Sequence, residues 1–287
     1  MKTGQKVLVA GATGYLGNYL VKAFKNRGCY VRALARNPEK LKHLTEFVDD
    51  IFIGEITKPD SLQGICDDID IVISSIGITR QRDNLSYMDV DYRGNYNLLK
   101  EAVNHSVSKF IYISALHKSQ NRILKILQAK LKFENELIGS GLNYSIVRAN
   151  GFFSDMLEYL KMAEKGKGYV FGSGDYRINP IHGEDLAEFC VEQTGTGKQI
   201  VEVGGPDILT HNEVLKTAFN VFGKPQKIAR IPLWIKSIAL IFLRTFTSLK
   251  TYGPLEFFLT VLTQDMVAPT YGNHHLKDYY EKMKNQL

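Results

Sequence analysis

Three glycines spaced three residues apart lie between an apolar run and an amphipathic stretch near the start of the chain. The run at 7–10 (VLVA) predicts a buried strand and the residues from Tyr15 onward predict a helix, so Gly11, Gly14 and Gly17 lie in and just after the turn. A side chain at the first glycine would obstruct the turn, one at the second would keep the backbone away from a pyrophosphate, and one at the third would push the helix off the sheet. The N–H groups at the start of such a helix attract phosphate. The segment therefore predicts a dinucleotide-binding turn.

Short β-branched runs alternate with longer amphipathic stretches over the first 150 residues. This alternation is typical of βαβ units on a parallel sheet. Six strands with intervening helices predict an α/β fold with a Rossmann-type doubly wound parallel sheet. The predicted strands are 6–10, 29–34, 50–53, 69–74, 109–113 and 143–147, and the predicted helices are 15–27, 38–45, 58–66, 84–104 and 123–140.

The pattern becomes less regular after residue 150. Glycine-containing turns separate short segments, and helices are predicted at 184–193, 211–222 and 234–249. We interpret 1–150 as a dinucleotide-binding Rossmann core and 151–287 as a smaller C-terminal, substrate-side region interleaved with that core. No repeat, low-complexity tract or Pro-rich linker indicates independent domains.

Composition and charge narrow the class of protein. Of the 287 residues, 44% are hydrophobic, which allows a sizeable core and excludes the disordered and fibrous classes. The net charge of +6 suits an anionic ligand, but no block of Lys and Arg indicates nucleic-acid binding. The scattered Cys29, Cys66 and Cys190 predict no disulfide framework and favour a reducing compartment. Because residues 1–6 lead directly into a predicted strand with no room for a leader, we expect a cytoplasmic protein.

The most apolar region of the sequence, 231–249, is interrupted by Lys236 and Arg244, which makes it a poor membrane-spanning segment. Its polar residues recur near helical spacing and predict an amphipathic helix. Two interpretations remain open. The helix packs on its own domain, or it makes peripheral contact with a membrane surface or an apolar substrate.

The end of the second predicted strand indicates which dinucleotide is bound. An acidic residue there would bind the ribose of NAD, but the chain has Arg36, which together with Arg32 can pair with the 2′-phosphate of NADP(H). We therefore predict NADP(H) over NAD(H), the alternative being that Arg36 is a solvated surface charge. The predicted contacts in these turns are Gly11, Thr13, Gly14, Tyr15, Leu16, Gly17, Arg36, Glu55, Ile56, Ser75, Ile76 and Gly77.

Several segments resemble the atypical and extended members of the short-chain dehydrogenase/reductase superfamily, including its NmrA-like group. The turn at 11–17 (GATGYLG) is similar to the signature of those members. The segments 130–137 (KLKFENEL), 140–148 (SGLNYSIVR), 151–153 (GFF) and 203–206 (VGGP) resemble divinyl chlorophyllide 8-vinyl-reductases and their bacterial relatives. The resemblance covers nearly the whole chain and implies a Rossmann fold that binds NADP(H).

The resemblance also implies a catalytic Tyr four residues before a Lys, with a Ser at the end of the preceding strand. The Tyr exchanges a proton with the substrate oxygen, and the Lys binds the nicotinamide ribose and lowers the Tyr pKa. Aligning Lys130 with that Lys puts Ile126 where the Tyr belongs, and Ser114 lies one position early. We retain Lys130 and Ser114 as catalytic candidates, with Lys132 as the alternative ribose ligand. Strand alternation is expected to turn Tyr112 away from this site.

Residues after the sixth predicted strand are further candidates for the nicotinamide side, because open α/β sheets bind ligands at the carboxyl ends of their strands. Asn150, Phe152 and Phe153 are predicted to contact the cofactor there, although paired Phe residues are also common in cores. His182 is interpreted as beginning a helix, with proton transfer as the alternative. No metal is predicted, since His274 lacks companion ligands at useful spacing.

Three candidate functions are considered for this sequence. The first is an NADPH-dependent reductase of an apolar or conjugated small molecule, which needs no Tyr if the proton comes from another group or from water. The second is a non-catalytic NADP(H) sensor or membrane-complex assembly factor, which the missing Tyr favours. The third is a nucleotide-sugar epimerase, which Ile126 opposes because it can neither donate nor accept a proton.

Overall fold

The computed structural model describes residues 4–78 and 85–286. Within these residues the strands are β1 (Lys6–Ala10), β2 (Tyr30–Ala35), β3 (Asp50–Ile53), β4 (Ile71–Ser74), β5 (Lys109–Ala115), β6 (Tyr144–Ala149), β7 (Gly168–Phe171), β8 (Arg177–Ile178), β9 (Gln199–Val203), β10 (Leu209–Thr210) and β11 (Ile228–Ile231). The α-helices are α1 (Tyr15–Asn26), α2 (Asn95–Asn104), α3 (Lys125–Gly139), α4 (Leu157–Glu164), α5 (Gly183–Glu192), α6 (His211–Phe222), α7 (Leu233–Phe246), α8 (Leu249–Val261) and α9 (Leu276–Met283).

A π-helical turn and several 3₁₀-helices complete the secondary structure of the described residues. A π-helical turn at Met88–Gly94 runs directly into α2. Five segments of the described chain form 3₁₀-helix: Pro38–Phe47, Pro59–Leu62, Ser119–Ile123, Gln193–Gly195 and Lys284–Gln286.

The central sheet has seven strands in the order β3-β2-β1-β4-β5-β6-β9. The β1–β2, β2–β3, β1–β4 and β4–β5 pairs are parallel. The strand order reverses between β1 and β4, and ligands bind outside the carboxyl ends of the strands at such a switch point. The predicted Rossmann-type doubly wound sheet is confirmed. The expectation of six strands is corrected to seven, because the sequence interpretation missed the edge strand β9, whose alternating exposed residues give it no continuous apolar run.

Several elements differ from their predicted bounds. The predicted helix at 58–66 is wrong beyond the turn at Pro59–Leu62, and Gly64 then adopts a left-handed φ of +76° that ends helical geometry. The predicted helix at 84–104 consists of the π-turn and α2, and its first residue lies outside the described residues. The predicted helix at 234–249 ends at Phe246, where an extended Thr247 separates α7 from α8.

The chain divides into two compact units that alternate along the sequence. The first comprises the described part of 1–115 together with 125–148 and 186–201, and the second comprises 116–124, 149–185 and the described part of 202–287. The main crossing, after Arg148, lies close to the boundary predicted at 150. The bounds of these short excursions were not predicted, although 151–287 was interpreted as interleaved with the core.

Each unit has its own hydrophobic core. In the first, α3 packs Phe133 and Leu137 among buried residues of the sheet, with Phe110 and Tyr112 of β5 against the Phe133 ring. In the second, buried residues of α4, α6 and α9 form a separate apolar cluster. Because α3 is fixed by this packing, the polar groups on its sheet-facing side are fixed as well.

Adjacent residues on α3 test how much this packing contributes. Leu137 is fully buried, whereas its neighbour Ile138 is 40% exposed. We expect Leu137→Ala to lower the free energy of unfolding by roughly 2–5 kcal/mol, because it leaves a cavity in the core. The matched change Ile138→Ala should cost less than about 1 kcal/mol. Urea denaturation followed by circular dichroism measures both, and equal losses would contradict the assigned packing.

Candidate cofactor site

The turn after β1 brings backbone atoms closer together than side chains would allow. Gly11 has a φ of +92°, and its carbonyl oxygen accepts a hydrogen bond from the Gly14 N–H at 2.9 Å. A Cβ atom on Gly17 would overlap that same Gly11 carbonyl group, and one on Gly11 would lie 2.6 Å from Ser75 Oγ. The three glycines therefore meet the steric requirements of a pyrophosphate-binding turn.

The first turn of α1 faces a concave surface that suits an anion. Gly14 caps the helix without a side-chain hydrogen bond, and no acidic residue lies in the first turn. Helix N-termini carry positive partial charge and direct N–H groups outward. The Asn18 amide braces the turn by donating to the carbonyls of Ala12 and Gly14 at 3.0 and 2.7 Å. A cavity of about 380 Å³ lies here, lined by Thr13, Gly14, Tyr15, Asn18, Tyr19 and Lys22.

Arg36 and Arg32 are in different surroundings. Arg36 follows β2 directly and is exposed, so its guanidinium is available at the carboxyl end of this strand. Arg32 lies in the middle of β2, where its Nε donates to Asp50 at 2.6 Å and its Nη1 donates to the carbonyls of Ile65 and Asp67. The expectation that Arg32 assists a 2′-phosphate is therefore wrong, because its donors hold β2 to neighbouring segments.

The turn after β3 holds the predicted adenosine-side residues Glu55 and Ile56. Hydrogen bonds from Lys58 and Thr57 lower the pKa of the Glu55 carboxyl, and the positive charge of Arg36 adds to this effect. Both the Arg36 charge and the Glu55 charge thus lie in the region where the sequence predicts the adenosine end of the cofactor.

The turn after β4 lies directly beside the glycine turn. The Ser75 N–H donates to the Ala10 carbonyl at 3.0 Å. Ile76 is half-buried, and Gly77 is exposed. A Cβ atom on Gly77 would lie 2.7 Å from Asp91 Oδ1 and 2.9 Å from Lys130 Nζ. The turn therefore joins the glycine turn at one end to Lys130 at the other.

Lys130 forms a buried ion pair with Asp91. Its Nζ lies 2.9 Å from Asp91 Oδ1, and Asp91 Oδ2 accepts from the Ile78 N–H at 3.2 Å. Burial alone would lower the pKa of Lys130, but Tyr112 and Asp91 together raise it above its usual value. Lys130 is therefore a cation held in place at the carboxyl end of β4, as a ribose-binding lysine needs to be.

Tyr112 lies next to Lys130, which corrects the expectation that it points away. Positions two apart on a strand share a face, so Tyr112 and Ser114 both point towards α3. The Lys130 ammonium lies 5.6 Å from the centre of the Tyr112 ring. The tyrosine is fully buried, and this burial raises the pKa of its hydroxyl.

The Tyr and Ser positions of the catalytic pattern differ from what the resemblance implies. Ile126 is buried one turn before Lys130 on α3 and carries no proton to exchange. Ser114 Oγ donates to Glu134 Oε1 at 2.6 Å, and Glu134 is paired with Arg148 at 2.6 Å. The Ser114 hydroxyl hydrogen is thus held by Glu134, and a catalytic role for Ser114 stays a prediction.

Sequence reasoning missed Asp91 and Asn95. The Asn95 amide is buried and donates to the carbonyls of Ile76 and Asp91 at 3.3 and 3.0 Å, while its oxygen accepts from Ser74 Oγ at 2.5 Å. It therefore ties the β4 turn to the π-helical turn, a helix variant common at functional sites. Helical spacing could have revealed both residues, because Asp91 and Asn95 continue the apolar stripe that contains Leu98.

The predicted contacts after β6 belong to the second unit. The Asn150 amide donates to Asn179 Oδ1 and to the Met266 carbonyl at 2.6 and 2.8 Å. Phe152 is half-buried, whereas Phe153 is buried in the core of this unit, with its ring 5.5 Å from His182. The Phe153 side chain thus fits the core alternative, and contact of these three residues with a cofactor stays a prediction.

A cluster of histidine and acidic side chains lies in the same unit. His182 accepts from the Glu184 N–H at 3.3 Å, as expected of a residue that begins α5, and burial lowers the pKa of His182 to about 4. The His274 ring stacks on His182 at 4.2 Å, and its Nδ1 lies 2.7 Å from Asp185. Ligand atoms of His182, Glu184 and His274 lie within 4.8 Å of one another, so the statement that His274 lacks companions is wrong. The absence of a metal stays a prediction.

The glycine turn at the β1–β4 switch point, the helix N-terminus and the buried lysine define a dinucleotide-binding α/β protein. A family model described as NAD(P)H-binding matches residues 11–196. The chain belongs to this NAD(P)H-binding family and is an atypical short-chain dehydrogenase/reductase, which confirms the resemblance seen in its motifs.

Similar proteins carry different descriptions. Divinyl chlorophyllide a 8-vinyl-reductase of Cucumis sativus is 28% identical over 320 residues, covering 98% of this chain and 76% of that protein. Photosystem II assembly factor Ycf39 of Synechocystis is 26% identical over 246 residues, covering 84% and 74%. The structure of the NADPH-dependent quinone oxidoreductase QOR2 of Escherichia coli, complexed with NADPH, matches with a TM-score of 0.72 and 19% identity over 97% of this chain and 100% of that one. The last comparison shows the fold alone.

A methyl group at Gly17 tests the turn directly. We expect Gly17→Ala to weaken NAD(P)H binding by at least about tenfold, because the added Cβ forces the Gly11 carbonyl and α1 apart. Gly139→Ala at the end of α3 is the matched control, since a Cβ there meets no atom of the described chain within 4 Å. Titration of the cofactor fluorescence measures both, and unchanged affinity in Gly17→Ala would contradict the site.

Proposed function

We propose that the protein is an NADPH-dependent reductase that acts on a carbon–carbon double bond in an apolar, conjugated small molecule. The proposal rests on two features of the catalytic pattern. The lysine expected to bind the cofactor is present, and the expected proton donor is absent. Lys130 is held as a buried cation next to Gly77, whereas Ile126 occupies the place of the catalytic Tyr. This combination fits hydride transfer without protonation of a substrate oxygen by that tyrosine.

Bound NADPH would supply a hydride to one carbon of an electron-poor double bond and leave as NADP⁺. The other carbon takes a proton, so that two hydrogens are added and the cofactor loses two electrons. Carbonyl reduction places negative charge on oxygen and benefits from a tyrosine donor, but a conjugated alkene spreads that charge over its π-system. The proton can then come from water or from another side chain.

The chain's own residues prepare the site for this reaction. Lys130 offers a positive charge to a ribose hydroxyl, and Asp91 and Asn95 fix its position through the β4 turn. Ile126 contributes an apolar surface one turn away. The similarity to the divinyl chlorophyllide a 8-vinyl-reductase of Cucumis sativus supports a vinyl group on a conjugated ring system as the substrate class.

A second candidate is a non-catalytic NADP(H)-binding protein that senses redox state or assists assembly of a membrane complex. Ile126 and the Ser114–Glu134 hydrogen bond favour it, because both remove proton-transfer groups from the catalytic pattern. The similarity to photosystem II assembly factor Ycf39 of Synechocystis supports it as well. Tight NADPH binding without NADPH oxidation by conjugated alkenes, quinones or aldehydes would favour this candidate over the reductase. Epimerisation of a nucleotide sugar is opposed by Ile126.

Reversing the charge at Arg36 tests the preference for NADP(H). We expect Arg36→Asp to weaken NADPH binding by about 10- to 100-fold and to leave NADH binding equal or stronger, because a charge-assisted hydrogen bond to the 2′-phosphate is lost. Arg122→Asp makes the same charge change at another exposed arginine of the chain. Calorimetric titration with both cofactors measures the ratio of affinities. An unchanged ratio in Arg36→Asp would rule out the proposed NADP(H) preference.

Removing the lysine charge tests the catalytic arrangement. We expect Lys130→Met to lower kcat/KM for NADPH oxidation with a reducible alkene by about a hundredfold, because the nicotinamide ribose loses its ligand. Lys125→Met is the control, since this lysine begins the same helix and is exposed.

Lys130→Met alone leaves the Asp91 carboxylate buried without its cation, which is destabilising. The double variant Asp91→Asn/Lys130→Met removes both charges and restores a neutral core. It should fold like the natural protein by circular dichroism and remain about as inactive as the single variant. A folded double variant with natural turnover would show that Lys130 does not act on the cofactor.

A further inference from the structure

Helix α7 exposes an unusually apolar surface. Of its fourteen residues, Trp234 is 63% exposed, Ile241 is 64% exposed and Phe246 is 71% exposed. Other large apolar side chains of this helix are also exposed, and together they form what we call the α7 stripe: Leu233, Trp234, Ile235, Ile238, Ile241, Phe242 and Phe246. Contiguous apolar surface of this kind marks a site of interaction.

Most of the stripe lies on one side of the helix. Trp234, Ile238 and Ile241 recur every three or four residues, and Phe242 and Phe246 extend the same side, with their rings 4.7 Å apart. The opposite side packs within the second unit, where Leu240 is buried.

The two charged side chains of α7 bond to neighbouring segments of the chain. Lys236 donates to Thr263 Oγ1 at 2.6 Å, and the Arg244 guanidinium donates to the buried Glu256 on α8 at 2.8 Å. These contacts fix the rotation of α7 about its axis. The apolar side is therefore the outward one.

Along the chain, the segment that contains the stripe is rich in basic residues. No acidic residue occurs between Glu213 and Glu256, whereas seven basic residues do: Lys216, Lys224, Lys227, Arg230, Lys236, Arg244 and Lys250. Lys227 and Arg230 precede the helix, Lys250 follows it, and all three are exposed. An exposed apolar stripe with cations at both ends matches the surface of an anionic lipid bilayer, where acyl chains receive the apolar side chains and headgroups receive the cations.

The length of the helix favours lying on a bilayer over crossing it. Fourteen residues span about 21 Å, less than the roughly 30 Å of hydrocarbon in a membrane. In the part of the chain that the structure describes, no helix combines the length and hydropathy that a membrane crossing needs.

We infer that the α7 stripe binds peripherally to an anionic membrane surface, with the helix lying in the plane of the headgroups. A second copy of the chain fits less well, because self-association through this face would bring two acid-free, basic segments together. The inference does not depend on the proposed reductase activity. Vesicle binding is measured without cofactor or substrate, so either conclusion can fail alone.

Trp234 makes the test specific, because it is the one tryptophan of the chain. The full-length protein is mixed with vesicles of phosphatidylcholine, with and without phosphatidylglycerol, at low and high salt. With the anionic vesicles at low salt we expect the Trp234 emission to shift to shorter wavelength and to lose its quenching by iodide. Cosedimentation with the same vesicles gives the affinity, which should fall as salt rises.

Two triple variants separate the α7 stripe from general surface hydrophobicity. Ile238→Ser/Phe242→Ser/Phe246→Ser keeps the Trp234 reporter and should weaken vesicle binding by at least about tenfold. The control Val103→Ser/Ile138→Ser/Ile208→Ser removes three exposed apolar side chains outside α7 and should bind like the natural protein. Circular dichroism checks that both variants are folded.

Four results would overturn the inference. The first is an emission unchanged by anionic vesicles at low salt, and the second is equal binding to phosphatidylcholine alone. The third is equal vesicle affinity of the α7 variant and the natural protein. The fourth is a shift of Trp234 emission with protein concentration in the absence of lipid, accompanied by dimers in analytical ultracentrifugation, which would assign the stripe to self-association.

Discussion

The close approach of the Gly17 backbone to the Gly11 carbonyl is the contact on which the cofactor site depends. It allows only four residues between the end of β1 and the start of α1, so that the helix N-terminus lies at the point where the strand order reverses. The Ser75 N–H bond to the Ala10 carbonyl then places the β4 turn beside the same point. Backbone geometry, more than any charged side chain, thus creates the phosphate end of the site.

The other end of the site depends on a buried charge pair. An ion pair out of water is costly to form and contributes little to stability, which favours a functional reason for Lys130 and Asp91. Asn95 and the π-helical turn link this pair to the β4 turn, and Gly77 leaves no space between the turn and the pair. The proposed reductase uses this arrangement to hold a cofactor, while Ile126 removes the proton donor that carbonyl chemistry would need.

Local signals in the sequence predicted much of the first unit and less of the rest. The bounds of β1, β3 and α6 were predicted to the residue, because each begins and ends where hydrophobic periodicity meets a turn or cap. Edge strand β9 was missed because two of its five residues are exposed and only one is buried. Asp91 was missed because its role is evident only from its ion pair with Lys130, which is distant in sequence. For α7, periodicity predicted two faces, but the exposure of its apolar side chains and the contacts of Lys236 and Arg244 are needed to show that the apolar face points outward.

A crystal structure of the protein with NADPH would show which atoms hold each part of the cofactor. We expect the pyrophosphate at the first turn of α1, the 2′-phosphate at the Arg36 guanidinium and the nicotinamide ribose at Lys130 Nζ. A complex in which NADPH lies away from the glycine turn, or in which Lys130 contacts Asp91 but no part of the cofactor, would contradict this expectation.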